Sequence, residues 1–289
     1  MLSALKELPS WRAEFLADLT TRCDVKGKRL LEIGAGDCLI AEVLGRDYEP
    51  SVVFATDLSL PKRAGNRIVR AQMDAARLQF PSNYFDIVYS HNAFEHISDL
   101  RRAWSEIVRV LRPGGRIFCH FAPIWTHSFG HHCYEEMDKN VRCAIPPYGH
   151  LYLPKKDLEK LVKQSTRVLS ESRRLMREYL FLHGCNKLWP KDYRAVLLGN
   201  PLLKYIEAEE IRGHHHDRPL PEQLMKAYPH VRPDEFAIVG WQIFAEKTGS
   251  AVDETDENFF SLFDRKGLAS KRSRYQKFKA RLKRLKQSL

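Results

Sequence analysis

The stretch LLEIGAGDCL, residues 30–39, brings two glycines and two carboxylates together in one turn. An apolar run leads into the glycines at 34–36, as in a dinucleotide site, but Leu39 stands where that fingerprint needs a third glycine. Glu32 and Asp37 flank the turn, and carboxylates beside a pyrophosphate repel it. The turn therefore favours a ligand that carries positive charge.

Two further carboxylates follow the next apolar runs. Asp57 ends VVFATD, where a carboxylate can accept the hydroxyls of a ribose. Asp74, in AQMDAARL, can accept an adenine amine, or it can serve as the N-cap of a following helix. The implied ligand is an adenosine with a cationic group and no phosphate. S-adenosylmethionine fits this description.

Histidines and aromatic residues concentrate in two later segments, FAPIWTHSFGHHCY (121–134) and IPPYGHLYL (145–153). A neutral hydroxyl needs a base or a metal before it can attack a methyl group, and imidazole is a suitable base. Aromatic rings beside histidines suit a sugar ring, and suit an apolar aromatic acceptor nearly as well. The alternative is that these histidines are polar groups packed inside a cap. The candidate bases, in order of preference, are His131, His132, His127 and His150.

Two other histidine-containing motifs give weaker signals. HHHD at 214–217 lies between two expected strands, and adjacent histidines on an extended chain point to opposite sides. No ligand spacing predicts a metal site. Glu95 and His96, in FEHI, form either a helix-entry pair or a catalytic pair.

Alternating strand and helix patterns predict an α/β fold with a doubly wound, mostly parallel seven-stranded sheet. The expected strands are Arg29–Ile33, Ser51–Thr56, Arg67–Ala71, Phe85–Ser90, Gly115–His120, 202–211 and 236–247. The expected helices are Leu39–Leu44, a short one near Leu60–Ala64, Asp99–Leu111 ending at RPGG, and Lys155 to about Leu182. Residues 122–200 would form a cap over the sheet edge that holds the glycine turn.

The motifs, taken in order, resemble the class I S-adenosylmethionine-dependent methyltransferases, of the type 11-like kind. LEIGAGDC resembles the first motif of that family, ATDLS the second, MDAARLQFPSNYFDIVYSHNAFEHI the third and fourth, and VRVLRPGGRIF the segment into strand five. Cys38 departs from the fuller motif, which has glycine there. The resemblance implies a cofactor site built from Glu32, Gly34, Ala35, Gly36, Asp57, Leu58, Asp74, Ala75 and His91.

A finer resemblance concerns the two histidine segments. A subgroup of these methyltransferases carries a P-I-W…G-H-H segment after strand five and a P-P-x-G-H-L segment later, and both occur here in that order. The resemblance implies a role in surface glycan assembly, with a sugar hydroxyl as acceptor. A small aromatic or lipid-like acceptor is the alternative within enzymes, and a non-catalytic cofactor-binding scaffold or regulatory subunit is the alternative from another class.

The net positive charge is unevenly distributed along the chain. The net charge is +11, and residues 265–289 alone hold eleven Lys and Arg with no acidic residue, so the remainder is neutral. A neutral body argues against a nucleic-acid-binding enzyme. Six scattered cysteines without a C-x-x-C pair, and a charged N-terminus without a signal-peptide pattern, favour a cytoplasmic protein. We expect a methyltransferase domain at 1–249, an acidic linker at 250–264 and a basic tail at 265–289.

The basic tail has one apolar stripe at helical spacing, formed by Tyr275, Phe278, Leu282, Leu285 and Leu289. Such a helix can lie on an anionic membrane surface, at the inner face of the membrane. It can also form a short coiled-coil seam, or remain a solvated tail. The oligomeric state does not follow from the sequence.

Overall fold

A computed structural model describes residues 7–60, 68–132, 134–137, 140–143, 145–164, 180, 184–213 and 219–249, and the side chains of the 134–143 segment are outside this description. Contacts divide the chain into two units, Met1–Ala251 and Val252–Leu289. Several expected features lie outside the described residues: most of the short helix near Leu60–Ala64, the later part of the helix from Lys155, the HHHD motif, the linker and the basic tail. Within the described ranges, no helix has the length and apolarity to cross a bilayer.

A seven-stranded sheet forms the centre of the larger unit, in the order β3-β2-β1-β4-β5-β9-β8. The first five strands run parallel, whereas β9 is antiparallel to both β5 and β8. The strands of this sheet are β1 (Arg29–Ile33), β2 (Val52–Asp57), β3 (Ile68–Gln72), β4 (Phe85–His91), β5 (Leu111–Phe121), β8 (Leu203–Arg212) and β9 (Ile238–Lys247). The expected doubly wound, Rossmann-like methyltransferase fold is confirmed.

The strand boundaries differ from expectation mainly at β5. This strand begins at Leu111, directly after a helix, and its pairing with β4 shifts between Phe85 and Ile87. The RPGG segment, residues 112–115, lies where this pairing is irregular. It follows the end of the helix, as expected, and it also forms the first part of β5. A short hairpin, β6 (Tyr134–Met137) with β7 (Asn140–Cys143), follows β5 and was not expected from the sequence.

The helices lie between the strands and in the segment after β5. They are α1 (Ser10–Arg22), α2 (Leu39–Asp47), α3 (Leu100–Val110), α4 (Gly149–Tyr152), α5 (Lys155–Gln164), α6 (Pro190–Leu197) and α7 (Glu222–Ala227). The expected apolar face of α3 is buried, with Trp104 and Ile107 at its centre. Helix α1 was not expected. It follows Pro9 and buries Phe15, Leu16 and Leu19 in the core cluster that also contains Leu30 of β1.

A buried lysine fixes the end of β9. Lys247 is fully buried, and its ammonium donates to Asn83 Oδ1 at 2.8 Å, to Val108 O at 2.9 Å and to Leu111 O at 2.7 Å. Two of these acceptors are carbonyls at the end of α3 and its cap, where positive charge is favourable. Burial lowers the pKa of Lys247. This contact joins the last strand to the helix that precedes β5.

The glycine turn after β1 is held by the end of β2. The backbone N–H groups of Gly34 and Ala35 both donate to Thr56 O, at 2.9 and 3.0 Å, and the Thr56 hydroxyl donates to Glu32 O at 2.6 Å. Cys38, which stands where the fuller methyltransferase motif has glycine, has a φ of 66°. The family's preference for glycine at this position therefore has a backbone cause here, because L side chains are disfavoured at positive φ.

Gly34 also makes the closest backbone approach in the turn. Its φ is 71°, and an added Cβ would lie 2.2 Å from the Cβ of Ala93, just beyond β4. Gly27 has a similar φ of 68°, but an added Cβ there would meet nothing within 4 Å. Substitutions at the two glycines can therefore separate the free-energy cost of a side chain at positive φ from the cost of the contact with Ala93.

We predict that Gly34→Ala destabilises the protein more than Gly27→Ala does. Both changes place a side chain at positive φ, which costs about 1–2 kcal/mol, and Gly34→Ala adds an overpacked contact worth about 1–3 kcal/mol. Urea unfolding of the two variants measures the difference. Adding Ala93→Gly to Gly34→Ala should recover the extra loss; equal stability of the two single variants would contradict the contact argument.

Candidate cofactor site and its surroundings

A cleft of about 660 Å³ opens at the carboxyl ends of β1, β2 and β4. Parallel sheets of this kind place ligands at this edge. All nine residues that the sequence assigns to the cofactor line the cleft: Glu32, Gly34, Ala35, Gly36, Asp57, Leu58, Asp74, Ala75 and His91. An added Cβ on Gly36 would meet no described residue within 4 Å, so among these residues there is open space beside the turn.

Glu32 supplies a buried carboxylate at one end of the cleft. Its side chain is 3% exposed, and no described residue donates a hydrogen bond to its Oε2. Burial raises the pKa of Glu32 to about 8, and the positive charge of Arg12 opposes this rise. A buried oxygen without a partner is costly, so a cation or donor placed here would be held strongly.

Asp57 and Asp74 stand at the ends of β2 and β3. Asp57 accepts hydrogen bonds from Gly36 N at 2.9 Å and Ser59 N at 3.1 Å, so its carboxylate is held between the turn and the loop after β2. Asp74 accepts from Ala76 N at 2.9 Å as the N-cap of a short 3-10 helix. Its capping role, which the sequence left open, is present, and the residue also lines the cleft.

Helix α1 contributes residues to the cleft that sequence reasoning missed. Arg12 lies at the cleft and donates to both carboxylate oxygens of Asp37 at 2.7 Å, and its guanidinium sits 4.7 Å from the ring centre of Trp11. The positive charge expected opposite Asp37 thus comes, in this structure, from the protein. The segment SWRAEFL, with apolar residues at helical spacing, was the available signal.

His91 ends β4 and is packed between rings. Its imidazole stacks on Phe15 with ring centres 4.4 Å apart and lies 5.1 Å from Trp11. Burial, with the neighbouring charges of His120 and Arg12, lowers the pKa of His91 to about 3. The ring is therefore a neutral wall of the cleft.

The four histidines expected as bases do not line this cleft, whose walls are described residues. His131 is fully buried, and His127 and His150 are 6% and 7% exposed. Burial lowers the pKa of His131 to about 2, of His132 to about 3 and of His150 to about 4. His150 Nε2 donates to Trp125 O at 2.6 Å. Their assignment as bases stays a prediction.

Glu95 and His96 lie in the turn after β4, and only His96 reaches the cleft. The turn is held by Asn186, whose backbone N–H donates to Glu95 O at 2.9 Å and whose side-chain amide donates to Phe94 O at 2.7 Å and Ile97 O at 3.2 Å. His96 is therefore a histidine at the cleft wall whose position is fixed from the cap side.

The cleft has the chemistry that the sequence predicted for its ligand. It combines a buried carboxylate for a cation, a half-buried carboxylate at the end of β2 for a diol, and open space beside a glycine. These groups fit an adenosine that carries a cationic side chain.

The known proteins that this chain is similar to include methyltransferases. The family described as "Methyltransferase domain" matches residues 31–119. An uncharacterized methyltransferase of Mycobacterium sp. (strain JLS) is 31% identical, over 42% of this chain and 50% of that protein. A demethylmenaquinone methyltransferase of Thermus thermophilus is 32% identical, over 36% of this chain and 51% of that protein.

These matches cover part of each protein. The chain spans about half the length of the curated relatives named above. A solved structure of an S-adenosylmethionine-dependent methyltransferase from Mesorhizobium loti aligns with 80% of this chain and 96% of its own, at 14% identity and a TM-score of 0.46. The matched segment, residues 31–119, holds the glycine turn, Asp57, Asp74 and His91.

Proposed function

We propose that this protein is an S-adenosylmethionine-dependent methyltransferase that transfers the methyl group to a hydroxyl of a sugar or glycoconjugate. The observation that carries the proposal is that the segment matching a methyltransferase domain lines a cleft in which Glu32 is buried. The Oε2 atom of Glu32 has no hydrogen-bond partner among the described residues. That oxygen is suited to the cationic end of the cofactor. Asp57 takes the ribose, and Asp74 faces the adenine region.

The transfer itself is a displacement at carbon. The acceptor oxygen forms a bond to the methyl carbon as the carbon–sulfur bond breaks, and the electron pair of that bond stays on sulfur, giving S-adenosylhomocysteine. The hydroxyl proton must leave, and a neutral hydroxyl is a poor nucleophile without help. The protein's main contribution is to align the oxygen with the methyl group and to exclude water.

The choice of acceptor rests on the two segments after β5. The sequence of 121–134 and 145–153, rich in aromatic residues and histidines, supports a sugar acceptor through its resemblance to glycan-assembly methyltransferases. The names of two relatives favour a second candidate, a lipid-like acceptor: the Thermus thermophilus protein, and a fatty-acid O-methyltransferase of Mycolicibacterium smegmatis that is 31% identical over 39% of this chain.

Cofactor binding can be tested by calorimetry with S-adenosylmethionine and S-adenosylhomocysteine. We expect both to bind, and Asp57→Ala to weaken binding about 10- to 100-fold, because charge-assisted hydrogen bonds to the ribose are lost. Asp57→Asn should lose less, since it keeps an acceptor. Asp47→Asn, on the surface end of α2, is the control and should bind normally. If the unaltered protein binds neither compound, the proposal fails.

The pKa of Glu32 predicts how binding depends on pH. Below pH 8 the carboxyl is largely protonated in the unliganded protein, and a bound cation favours its ionised form. Binding therefore releases a proton, and affinity for S-adenosylmethionine should rise from pH 6 to pH 7.5, by up to about tenfold per pH unit. Glu32→Gln should bind more weakly with a flat profile. A steep profile in Glu32→Gln would assign the effect to another group.

The acceptor proposal is tested by turnover. We expect S-adenosylhomocysteine to accumulate when the protein is given sugar or glycoconjugate acceptors with hydroxyls at each ring position, and the methylated atom to be an oxygen by mass spectrometry and NMR. Demethylmenaquinol and long-chain fatty acids are the comparison acceptors. Turnover only with these would replace the sugar by a lipid-like acceptor, and cofactor binding without turnover on any of them would favour a non-catalytic scaffold.

A further inference from the structure

Three metal-binding side chains meet beside the cofactor cleft. They are Glu95 and His96 of the turn after β4, and His132 of the segment after β5, and one ligand atom of each lies within 4.8 Å of the others. Glu95 Oε1 and His96 Nε2 are 3.8 Å apart. Zinc–ligand bonds of about 2.0–2.1 Å at tetrahedral angles place two ligand atoms about 3.4 Å apart, so the three side chains would have to move together by up to about 1.4 Å to bind one ion.

Glu95 is the residue whose surroundings call for a cation. Its side chain is 1% exposed, and neither of its carboxylate oxygens has a hydrogen-bond partner among the described residues. A buried carboxyl with two unpartnered oxygens is among the more costly arrangements in a protein interior. A metal ion would satisfy both oxygens and stabilise the ionised form.

The two histidines are oriented as metal ligands usually are. His96 Nδ1 lies 2.5 Å from Gly184 O, and His132 Nε2 lies 2.9 Å from Pro123 O. A carbonyl only accepts, so each of these ring nitrogens carries the proton and donates it. The lone pair is then on the other nitrogen, His96 Nε2 or His132 Nδ1. Ligating histidines typically donate their second ring N–H to a carbonyl in this way.

The backbone around the three side chains is held from several directions. Asn186 binds the turn of Glu95 and His96 through three hydrogen bonds. His132 has a φ of 50°, and its N–H donates to Phe129 O at 3.0 Å. Nearby, an added Cβ on Gly130 would lie 2.1 Å from Ile124 O, so the 124–132 loop is closely packed. The donors are thus presented by fixed backbone.

We propose that Glu95, His96 and His132 bind one divalent transition-metal ion, of the zinc type, with an open coordination position toward the cleft. Two imidazoles and one carboxylate are a ligand set of catalytic zinc and related sites, which keep one position for water or substrate. His96 is both a ligand and part of the cleft wall. The site therefore adjoins the cleft through His96.

The role of the ion in catalysis rests on the proposed function. A hydroxyl bound at the open position would release its proton to solvent more readily, because the metal stabilises the alkoxide. The alkoxide oxygen would then attack the methyl carbon of S-adenosylmethionine. His132, expected as a base, would act instead by holding the metal.

The test measures metal uptake directly. The three histidines at 214–216 can bind metal on their own, so the experiment uses the full chain with His214→Asn, His215→Asn and His216→Asn as its background. Chelator-treated protein is titrated with Zn²⁺ by calorimetry and with Co²⁺ by visible absorption, without S-adenosylmethionine. We expect one ion per chain, and at least tenfold weaker binding in both Glu95→Gln and His132→Gln.

Two controls separate the outcomes. His230→Gln, at an exposed surface position, should leave Zn²⁺ binding unchanged. Thermal unfolding and S-adenosylmethionine binding report whether each variant is folded, and Glu95→Gln preserves the shape of the side chain. No stoichiometric uptake by the background protein, or unchanged affinity in folded Glu95→Gln, would overturn the metal site. Metal uptake without S-adenosylmethionine binding would instead overturn the proposed function and leave the metal site standing.

Discussion

The hydrogen bonds between the glycine turn and the end of β2 are the constraint on which the rest of the site depends. Thr56 accepts from two successive N–H groups of the turn, and Asp57 accepts from Gly36. The peptide groups of the turn are therefore held by the neighbouring strand. Because the same residues end β2, the separation between Glu32 and Asp57 is set by strand pairing and not by a loop. The cleft is a property of the sheet edge.

Local sequence was sufficient for the parts of the site that lie where strands end. Glu32 and Asp57 follow directly from apolar strands and a glycine turn, whereas His91 was implied by the family resemblance; parallel strands bring their ends together. Arg12 could not be placed this way. Its partner Asp37 is 25 residues away, and the contact depends on how α1 packs across the sheet. Strand pairing has a short sequence signature, whereas the packing of a separate helix depends on three-dimensional shape.

The histidines of the cap show a second limit of prediction from local sequence. They were interpreted either as candidate bases or as polar groups packed inside the cap. In the structure they are buried, and His131 and His150 lie with ring centres 4.9 Å apart. The sequence could not decide between the two interpretations because the segment has no clear amphipathic period. The pairing of His132 with Glu95 and His96 depends on the chain returning past the end of β4, which no local spacing records.

The position of β9 in the sheet has a consequence for folding during synthesis. Strand β9, the last described strand in chain order, lies between β5 and β8. The ammonium of its Lys247 donates to a carbonyl at the end of α3. During synthesis, β5 and α3 leave the ribosome long before this strand. Until residue 247 has emerged, one edge of β5 has no partner, and the carbonyls of Val108 and Leu111 lack their ammonium donor. A nascent chain of this design exposes an unpaired strand edge, the kind of surface that chaperones bind. Completion of the sheet is therefore a late step in the folding of the nascent chain.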